Sequence, residues 1–369
     1  MKVLEVVNVD FSLRHFLWPL MRGLRARGHE VIGACAEGPL LDAVRADGFD
    51  VRAVPMARSL NPIAQLRAFR ALRALIREVK PDLVHGHMPI SGFLARLAAR
   101  MEGVPRVAYT CHGFLFNQTG PAWKRGVSVA MEWIGGRMTD VFMAVNGAEA
   151  EDARRLGIHR NPVAIGNGRD PAVFRPDPEA RARIRAALGT PQDAVVITIV
   201  SRLVRAKGHP ELLEAMKDVP GAMLWVVGER LPTDHDADLE PYFRAADLGE
   251  RLVRLGYRSD IPAVLAATDI FVLPSHFEAM PMSVIEAMMT GLPVVATDTR
   301  GPREQVVAEE TGLLVPPMQV APLAAALRRL AADPALRARM GEAGRRRALA
   351  RFDEAAVLAR TLDLLEARA

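Results

Sequence analysis

Four residues in the second half of the chain have types and spacing that could do chemistry together. Arg202 and Lys207 follow the apolar run Val195–Val200. An arginine clamps a phosphate through two N–H groups, and a lysine adds a compact positive charge. Glu278 and Glu286 lie eight positions apart in the segment from Asp269 to Asp298. That segment reads as a strand (Ile270–Leu273), a loop (Pro274–Pro281), a helix from Met282 stopped by Gly291, and a second strand. The start of a helix offers unpaired N–H groups and the positive end of a dipole, which suits a phosphate. Pro281, just before the helix, has no N–H to give. Two carboxylates flanking that point could hold sugar hydroxyls on either side of a diphosphate. Each piece also has a plain reading. Ser283-Val-Ile-Glu286 fits a helix capping box, in which the glutamate only returns a hydrogen bond to the cap. Glu278, Arg202 and Lys207 read equally as solvated loop charges.

These residues need elements that aim them at one place. Short β-branched runs alternate with helical patterns along most of the chain. The runs are Val3–Asn8, Val31–Cys35, Val51–Val54, Leu83–His85, Val107–Thr110 and Val141–Val145, then Val195–Ser201, Met223–Val227, Leu252–Leu255, Ile270–Leu273, Val294–Ala296 and Leu313–Val315. Continuous apolar strands between helices imply parallel sheets covered on both faces. Pro171, Pro176, Pro178, Gly189 and Pro191 mark a stretch without strand pattern. We therefore expect an α/β chain of two doubly wound domains, 1–172 and 173–350, facing each other across a cleft. Ligands of such sheets sit beyond the carboxyl ends of the strands. The amphipathic segment 351–369 should form a helix that crosses back to the first domain.

Composition limits the function. With 369 residues, half of them hydrophobic, the chain can fill two cores. Its net charge is +5, and only five of its 48 basic residues are lysines. That mild excess fits anionic small ligands or an anionic membrane surface. No finger, zipper or RNA-binding aromatic motif is present, so nucleic acid is not an expected partner. No apolar run has the length of a bilayer span. The first residues, Met1 to Val7, read as a strand carrying a charge and not as a signal peptide. Two cysteines, Cys35 and Cys111, argue against a disulfide scaffold and for a reducing compartment, so a cytoplasmic protein is expected. No Gly-x-Gly-x-x-Gly follows the first strand, which disfavours a dinucleotide enzyme.

Taken together, Ser201-Arg-Leu-x3-Lys207-Gly208 and Glu278-x7-Glu286 resemble the retaining GT-B glycosyltransferases of family 4, which use nucleotide sugars. Gly166-Asn-Gly-Arg-Asp170 resembles the family's segment at the domain junction. Gly256-Tyr-Arg-Ser-Asp260-Ile261-Pro262 resembles its nucleotide-side turn, and Gly301-x2-Glu304 with Thr311–Pro316 its closing motif. In the first half, Ser59-Leu-Asn-Pro62, Pro81-Asp-Leu-Val-His85-Gly-His87 and Tyr109-Thr-Cys-His112-Gly-Phe114 resemble bacterial enzymes that extend saccharides on a polyprenyl-diphosphate carrier. One departure is the first loop, Asn8–Ser12, which lacks the glycines common in the family; Asp10 and Arg14 could contact the acceptor instead.

The resemblance implies that Arg202 and Lys207 bind the donor diphosphate and stabilise the leaving nucleotide. It places Glu286 on the ribose, Glu278 on the donor sugar, the backbone of Ala279, Met280, Met282 and Ser283 at the diphosphate, and Gly228, Arg258 and Ile261 beside the base. His112 would touch the donor sugar or its phosphate. It implies a UDP-sugar donor carrying a hexose or N-acetylhexosamine, a lipid-linked saccharide acceptor, and no metal or other cofactor. His85, His87, His112 and Cys111 could suggest a metal site, but no acid lies at ligand spacing. Cys111 reads as a small buried residue. The helix Pro62–Val79 carries Arg67, Arg70, Arg73 and Arg77 mostly on one face. It is either a solvated helix packed on its own sheet or a peripheral contact with the inner, anionic face of the plasma membrane. A nucleotide-sugar epimerase of the same fold, a GDP-mannose-dependent mannosyltransferase and a non-enzymatic sugar-binding protein are the alternatives.

Overall fold

The computed structural model describes the chain except residues 57–60, 119, 231–233, 235–237 and 368–369. Ser59 and Leu60, part of the first-half motif, lie outside the described residues. Contacts divide the chain into two units, Met1–Gly166 with Ala356–Ala369, and Asn167–Ala355. The division falls at Gly166/Asn167, a few residues before the proline-rich stretch.

The first unit holds seven strands: β1 (Lys2–Val6), β2 (Glu30–Cys35), β3 (Asp50–Ala53), β4 (Leu83–His87), β5 (Arg106–Cys111), β6 (Val141–Ala144) and β7 (Val163–Ala164). All pairings are parallel, in the order β3-β2-β1-β4-β5-β6-β7. The order reverses between β1 and β4. Each apolar run of the sequence falls on a strand; the two-residue β7 was too short to show a pattern.

Alternation along the strands divides the core between the two faces. Val3, Val31, Leu83 and Ala108 pack with Leu17, Met21 and Leu24 and with Leu362 and Leu365 of the last helix, Glu354–Glu366. Leu4, Val6, Val84 and Val107 pack with Leu72, Leu75 and Ile76 of helix Pro62–Val79 and with Leu94, Ala95 and Ala98 of helix Pro89–Met101. Each fully buried aliphatic side chain of this kind contributes about 1.5–3 kcal/mol. The Asn61 side chain caps helix Pro62–Val79 by accepting from Ile63 N (3.0 Å) and Ala64 N (3.3 Å).

The second unit holds β8 (Val195–Val200), β9 (Ala222–Val227), β10 (Leu252–Gly256), β11 (Ile270–Leu273), β12 (Val294–Thr297) and β13 (Gly312–Val315). They form a second parallel sheet ordered β10-β9-β8-β11-β12-β13, with its reversal between β8 and β11. Asp269, just before β11, ties this sheet to helix Pro178–Ala187. Its carboxylate accepts from Arg181, from the buried Arg185 (2.7 Å) and from Val196 N (2.7 Å).

Gly208 locks the two strands at the reversal. It adopts a left-handed φ of 76°, and a Cβ there would lie 2.1 Å from the Pro274 carbonyl oxygen. Only glycine lets the loop after β8 approach the loop after β11 so closely. Gly208→Ala should lower the unfolding free energy by roughly 1–3 kcal/mol. Urea denaturation should show a lower midpoint at unchanged m-value.

Candidate active site

In the second unit the loops at the carboxyl ends of β8 to β11 carry most of the residues singled out in the sequence. Lys207 Nζ lies 2.5 Å from Glu278 Oε1, so an ion pair spans the strand-order reversal. Ser275 Oγ donates to the same oxygen at 2.7 Å. Glu278 is thereby held by two neighbours and mostly buried. The ammonium of Lys207 has three N–H groups, of which Glu278 takes one. Arg202 is more exposed and pairs with Asp234. His209 sits beneath this loop, 3.1 Å from both Ser201 Oγ and the Arg202 carbonyl. Burial pushes its imidazole down to about 4. At neutral pH it is therefore uncharged beside Lys207.

The structure removes the capping-box reading of Glu286. Helix Met282–Met289 is preceded by Pro281 and has no side-chain cap, so Ser283 lies inside the first turn and no capping box forms. Glu286 instead accepts from Arg169 Nε at 2.6 Å. The same segment sends Asn167 Nδ2 to the Met280 carbonyl at 2.9 Å. Residues 167–169, which the sequence marks only as a junction, thus brace the loop and the second carboxylate. No local spacing connects Arg169 with Glu286, and the pairing was missed for that reason.

The first-turn N–H groups of helix Met282–Met289, those of Met282 and Ser283 among them, have no partner within the helix. Gly301 keeps the preceding loop in place. Its N–H donates to the Glu278 carbonyl at 3.1 Å, and a Cβ on it would lie 2.1 Å from the Ala279 carbonyl oxygen. Ala279 and Met280 are buried in this turn. On the other side of the reversal, Gly228 follows β9 at φ 126° and donates to the Gly256 carbonyl at 2.8 Å. Arg258 forms a two-point ion pair with Asp260, immediately before helix Ile261–Ala266.

The first unit has its own polar cluster, also at the reversal of its sheet. Glu5 on β1 is register partner of His85 on β4 and is fully buried. His85 Nδ1 lies 3.1 Å from Glu5 Oε1, and His87 Nε2 lies 2.8 Å from Glu5 Oε2. His87 Nδ1 in turn lies 3.2 Å from His112 Nε2. His85 Nε2 reaches Thr110 Oγ1 at 2.8 Å. An ionised carboxylate only accepts, so both imidazole nitrogens facing it carry hydrogen. In neutral His87 the other nitrogen then accepts from His112 Nε2–H, which leaves the lone pair of His112 on Nδ1.

Burial pushes the Glu5 carboxyl up, but His85 and His87 outweigh it and hold it down at about 2. Burial, with further lowering from His85, brings His87 down to about 4. Burial and the neighbouring His87 and His85 bring His112 down to about 3. At neutral pH the relay ends in a neutral imidazole beside Gly113.

The acid absent at ligand spacing is therefore supplied in space by Glu5, eighty positions before His85. Glu5, His85 and His87 are a donor set that could hold a metal ion. Here their nitrogens and oxygens satisfy one another. The signal in the sequence was a single carboxylate inside Val3-Leu-Glu5-Val-Val7. Cys111 is buried, and burial pushes its thiol well above the usual range. Asp10 accepts from Phe11 N (2.7 Å) and Leu40 N (3.3 Å), and Arg14 stacks on Trp18 at 4.0 Å. Both are thus engaged within their own unit.

Two parallel sheets, each with its polar cluster at the carboxyl edge of the strand-order reversal, define an α/β protein of the GT-B type. A solved structure of HepE from Anabaena in complex with UDP-glucose shares this fold. It aligns with TM-score 0.83 at 22% identity, over 98% of this chain and 99% of that one. Residues 15–173 match the family described as Glycosyltransferase Family 4, and residues 180–347 match Glycosyl transferases group 1. The chain belongs to glycosyltransferase family 4 and is a glycosyltransferase. It is 31% identical over 296 residues to the Escherichia coli UDP-Gal:alpha-D-GlcNAc-diphosphoundecaprenol alpha-1,3-galactosyltransferase, covering 76% of this chain and 74% of the relative. It is 27% identical to the Campylobacter jejuni N,N'-diacetylbacillosaminyl-diphospho-undecaprenol alpha-1,3-N-acetylgalactosaminyltransferase, covering 99% and 98%.

His87, His112 and His209 also predict an acid sensitivity. Their folded pKa values lie below the ordinary value of 6.5, so between pH 6.5 and about 4 the unfolded chain binds protons that the folded chain refuses. Stability therefore falls as pH drops through this window. Glu5, held low, adds a loss of the same sign below its ordinary value of 4.5. The melting temperature should decline from pH 6.5 to pH 4, and His112→Gln should make that decline shallower.

Proposed function

We propose that the protein is a retaining transferase that moves a hexose or N-acetylhexosamine from a UDP-sugar to a saccharide on polyprenyl diphosphate. The observation that carries the reading is the Lys207–Glu278 pair across the β8/β11 reversal, with Arg202 on one side and the start of helix Met282–Met289 on the other. Cations, helix N–H groups and carboxylates meet where a doubly wound sheet binds its ligand. Support for the donor comes from the UDP-glucose held by the Anabaena protein. Support for the acceptor comes from the diphosphoundecaprenol named for both bacterial relatives.

The roles follow from chemistry. Breaking the glycosidic bond places negative charge on the departing diphosphate. Lys207, Arg202 and the first-turn N–H groups stabilise that charge where it develops, which is usually the largest contribution to catalysis. Glu278 orients the donor sugar through its hydroxyls, and its contacts with Lys207 and Ser275 hold it in position. Glu286 binds the ribose, steadied by Arg169. Gly228, Arg258 and Ile261 flank the base. The neutral His112 offers its Nδ1 lone pair to a sugar hydroxyl. Transfer proceeds without a metal cofactor.

Thermal-shift titration with UDP, GDP, ADP, NAD and their sugars, with and without EDTA, tests the donor. A rise in melting temperature with UDP that survives EDTA supports the reading; a rise with GDP alone moves it to a mannosyltransferase. No rise with any diphosphate removes the phosphate roles. Incubation without acceptor should leave the donor sugar unchanged, whereas an epimerase would convert it. With a lipid-linked acceptor, proton NMR should show the product with the donor's anomeric configuration.

Lys207→Ala and Arg202→Ala should each lower kcat about 100-fold or more at unchanged fold. Glu286→Ala should chiefly raise the KM for the donor, with a circular dichroism spectrum like that of the parent protein.

A further inference from the structure

The helix Ala122–Arg137 is inside out. Its buried positions are Ser128, Glu132, Gly135 and Gly136. Its exposed positions include Trp123 (62%), Val127 (44%), Trp133 (44%) and Ile134 (47%). Trp123, Val127, Ala130 and Ile134 recur at steps of four, three and four, which is one continuous stripe on a helix. A surface helix normally turns such a stripe to the core.

The inner face explains why this one does not. Glu132 forms a buried ion pair with Arg96 at 2.9 Å and accepts from the Tyr109 hydroxyl at 2.9 Å. Arg96 lies flat on the Tyr109 ring, 3.7 Å from its centre. Gly135 makes room for that guanidinium; a Cβ would lie 2.5 Å from its Cζ. Gly136 comes so close to the Ile158 carbonyl that a Cβ would lie 2.0 Å from the oxygen. Rotating the helix to bury its tryptophans would strand a buried arginine and replace two glycine contacts with clashes. The apolar stripe is therefore held outward.

The charges beside the stripe identify what covers it. Lys124, Arg125 and Arg137 are exposed on the same helix, and its one acidic residue, Glu132, points inward. The Arg137 guanidinium stacks on Trp133 at 3.2 Å. Tryptophans flanked by long basic side chains suit the boundary between headgroups and acyl chains of an anionic bilayer. A second copy of this face would bring the same cations together. The sequence left membrane contact open for helix Pro62–Val79, but there Arg73 and Arg77 both bind Glu102. Only its N-terminal end, with Ile63, Leu66, Arg67 and Arg70, exposes the same combination. Both helices connect parallel strands, so their N-termini lie at the carboxyl edge of the sheet, the edge that carries His112.

We infer that helix Ala122–Arg137, assisted by the Ile63–Leu66 end of helix Pro62–Val79, docks the protein on an anionic phospholipid surface. The inference deepens the proposed function, because a lipid-linked acceptor is met at such a surface. It rests on that reading only for its purpose.

The full chain should sediment with vesicles of phosphatidylglycerol and phosphatidylcholine at low salt, and at least about tenfold more weakly with phosphatidylcholine alone. Brominated acyl chains should quench tryptophan fluorescence in the anionic vesicles. A Trp123→Ser/Val127→Ser/Ile134→Ser variant should lose binding and quenching, keep its melting temperature, and keep transfer to a water-soluble acceptor. Failure to sediment, or a variant that sediments like the parent, overturns the inference. So does light scattering that shows a dimer which the variant dissolves, since a second copy then covers the face. Loss of transfer to the soluble acceptor in the parent protein would instead count against the enzymatic reading.

Discussion

Strands β8 and β11 are neighbours although two other strands separate them in the chain, and the grouping of the second unit's charged side chains depends on that adjacency. Where strand order reverses, the loops leaving two adjacent strands turn to opposite sides and open a crevice. Lys207 leaves from one strand and Glu278 from the other, and their ion pair closes over the gap. Gly208 permits the approach and Gly301 holds the loop that follows Glu278. An isolated pair of this kind on a surface would contribute little to stability. Its significance lies in placing a cation, two carboxylates and a helix start within one small region.

The first sheet repeats the arrangement with different chemistry. At its reversal, between β1 and β4, a buried carboxylate orders three imidazoles. A buried charge without partners is expensive, so Glu5 is tolerated only because two N–H groups meet it. The cluster therefore fixes the hydrogen positions of His87 and His112 and keeps both neutral near pH 7. A neutral imidazole with a fixed lone pair suits a hydroxyl-rich ligand better than a mobile cation.

Local pattern and tertiary packing conflict at two places in the first unit. A carboxylate in an apolar strand and a helix with tryptophans facing outward both break the rule that apolar residues seek the core. In each case a buried polar contact dictates the register: Glu5 with His85 and His87, and Glu132 with Arg96. The exposed stripe of helix Ala122–Arg137 remains as the consequence.

Much of this was legible in the residues. Short β-branched, continuous apolar runs located twelve of the thirteen strands found among the described residues, because strand burial is written directly in side-chain type. Arg202, Lys207, Glu278 and Glu286 stood out because each follows a strand or opens a helix, where chain direction alone sets the address. Local spacing did not decide whether Glu286 caps its helix or binds Arg169, which faces of the helices point outward, or that Glu5 supplies the acid for His85 and His87. Those partners lie 80 or more residues apart, and only the parallel crossovers that set strand order bring them within hydrogen-bond distance.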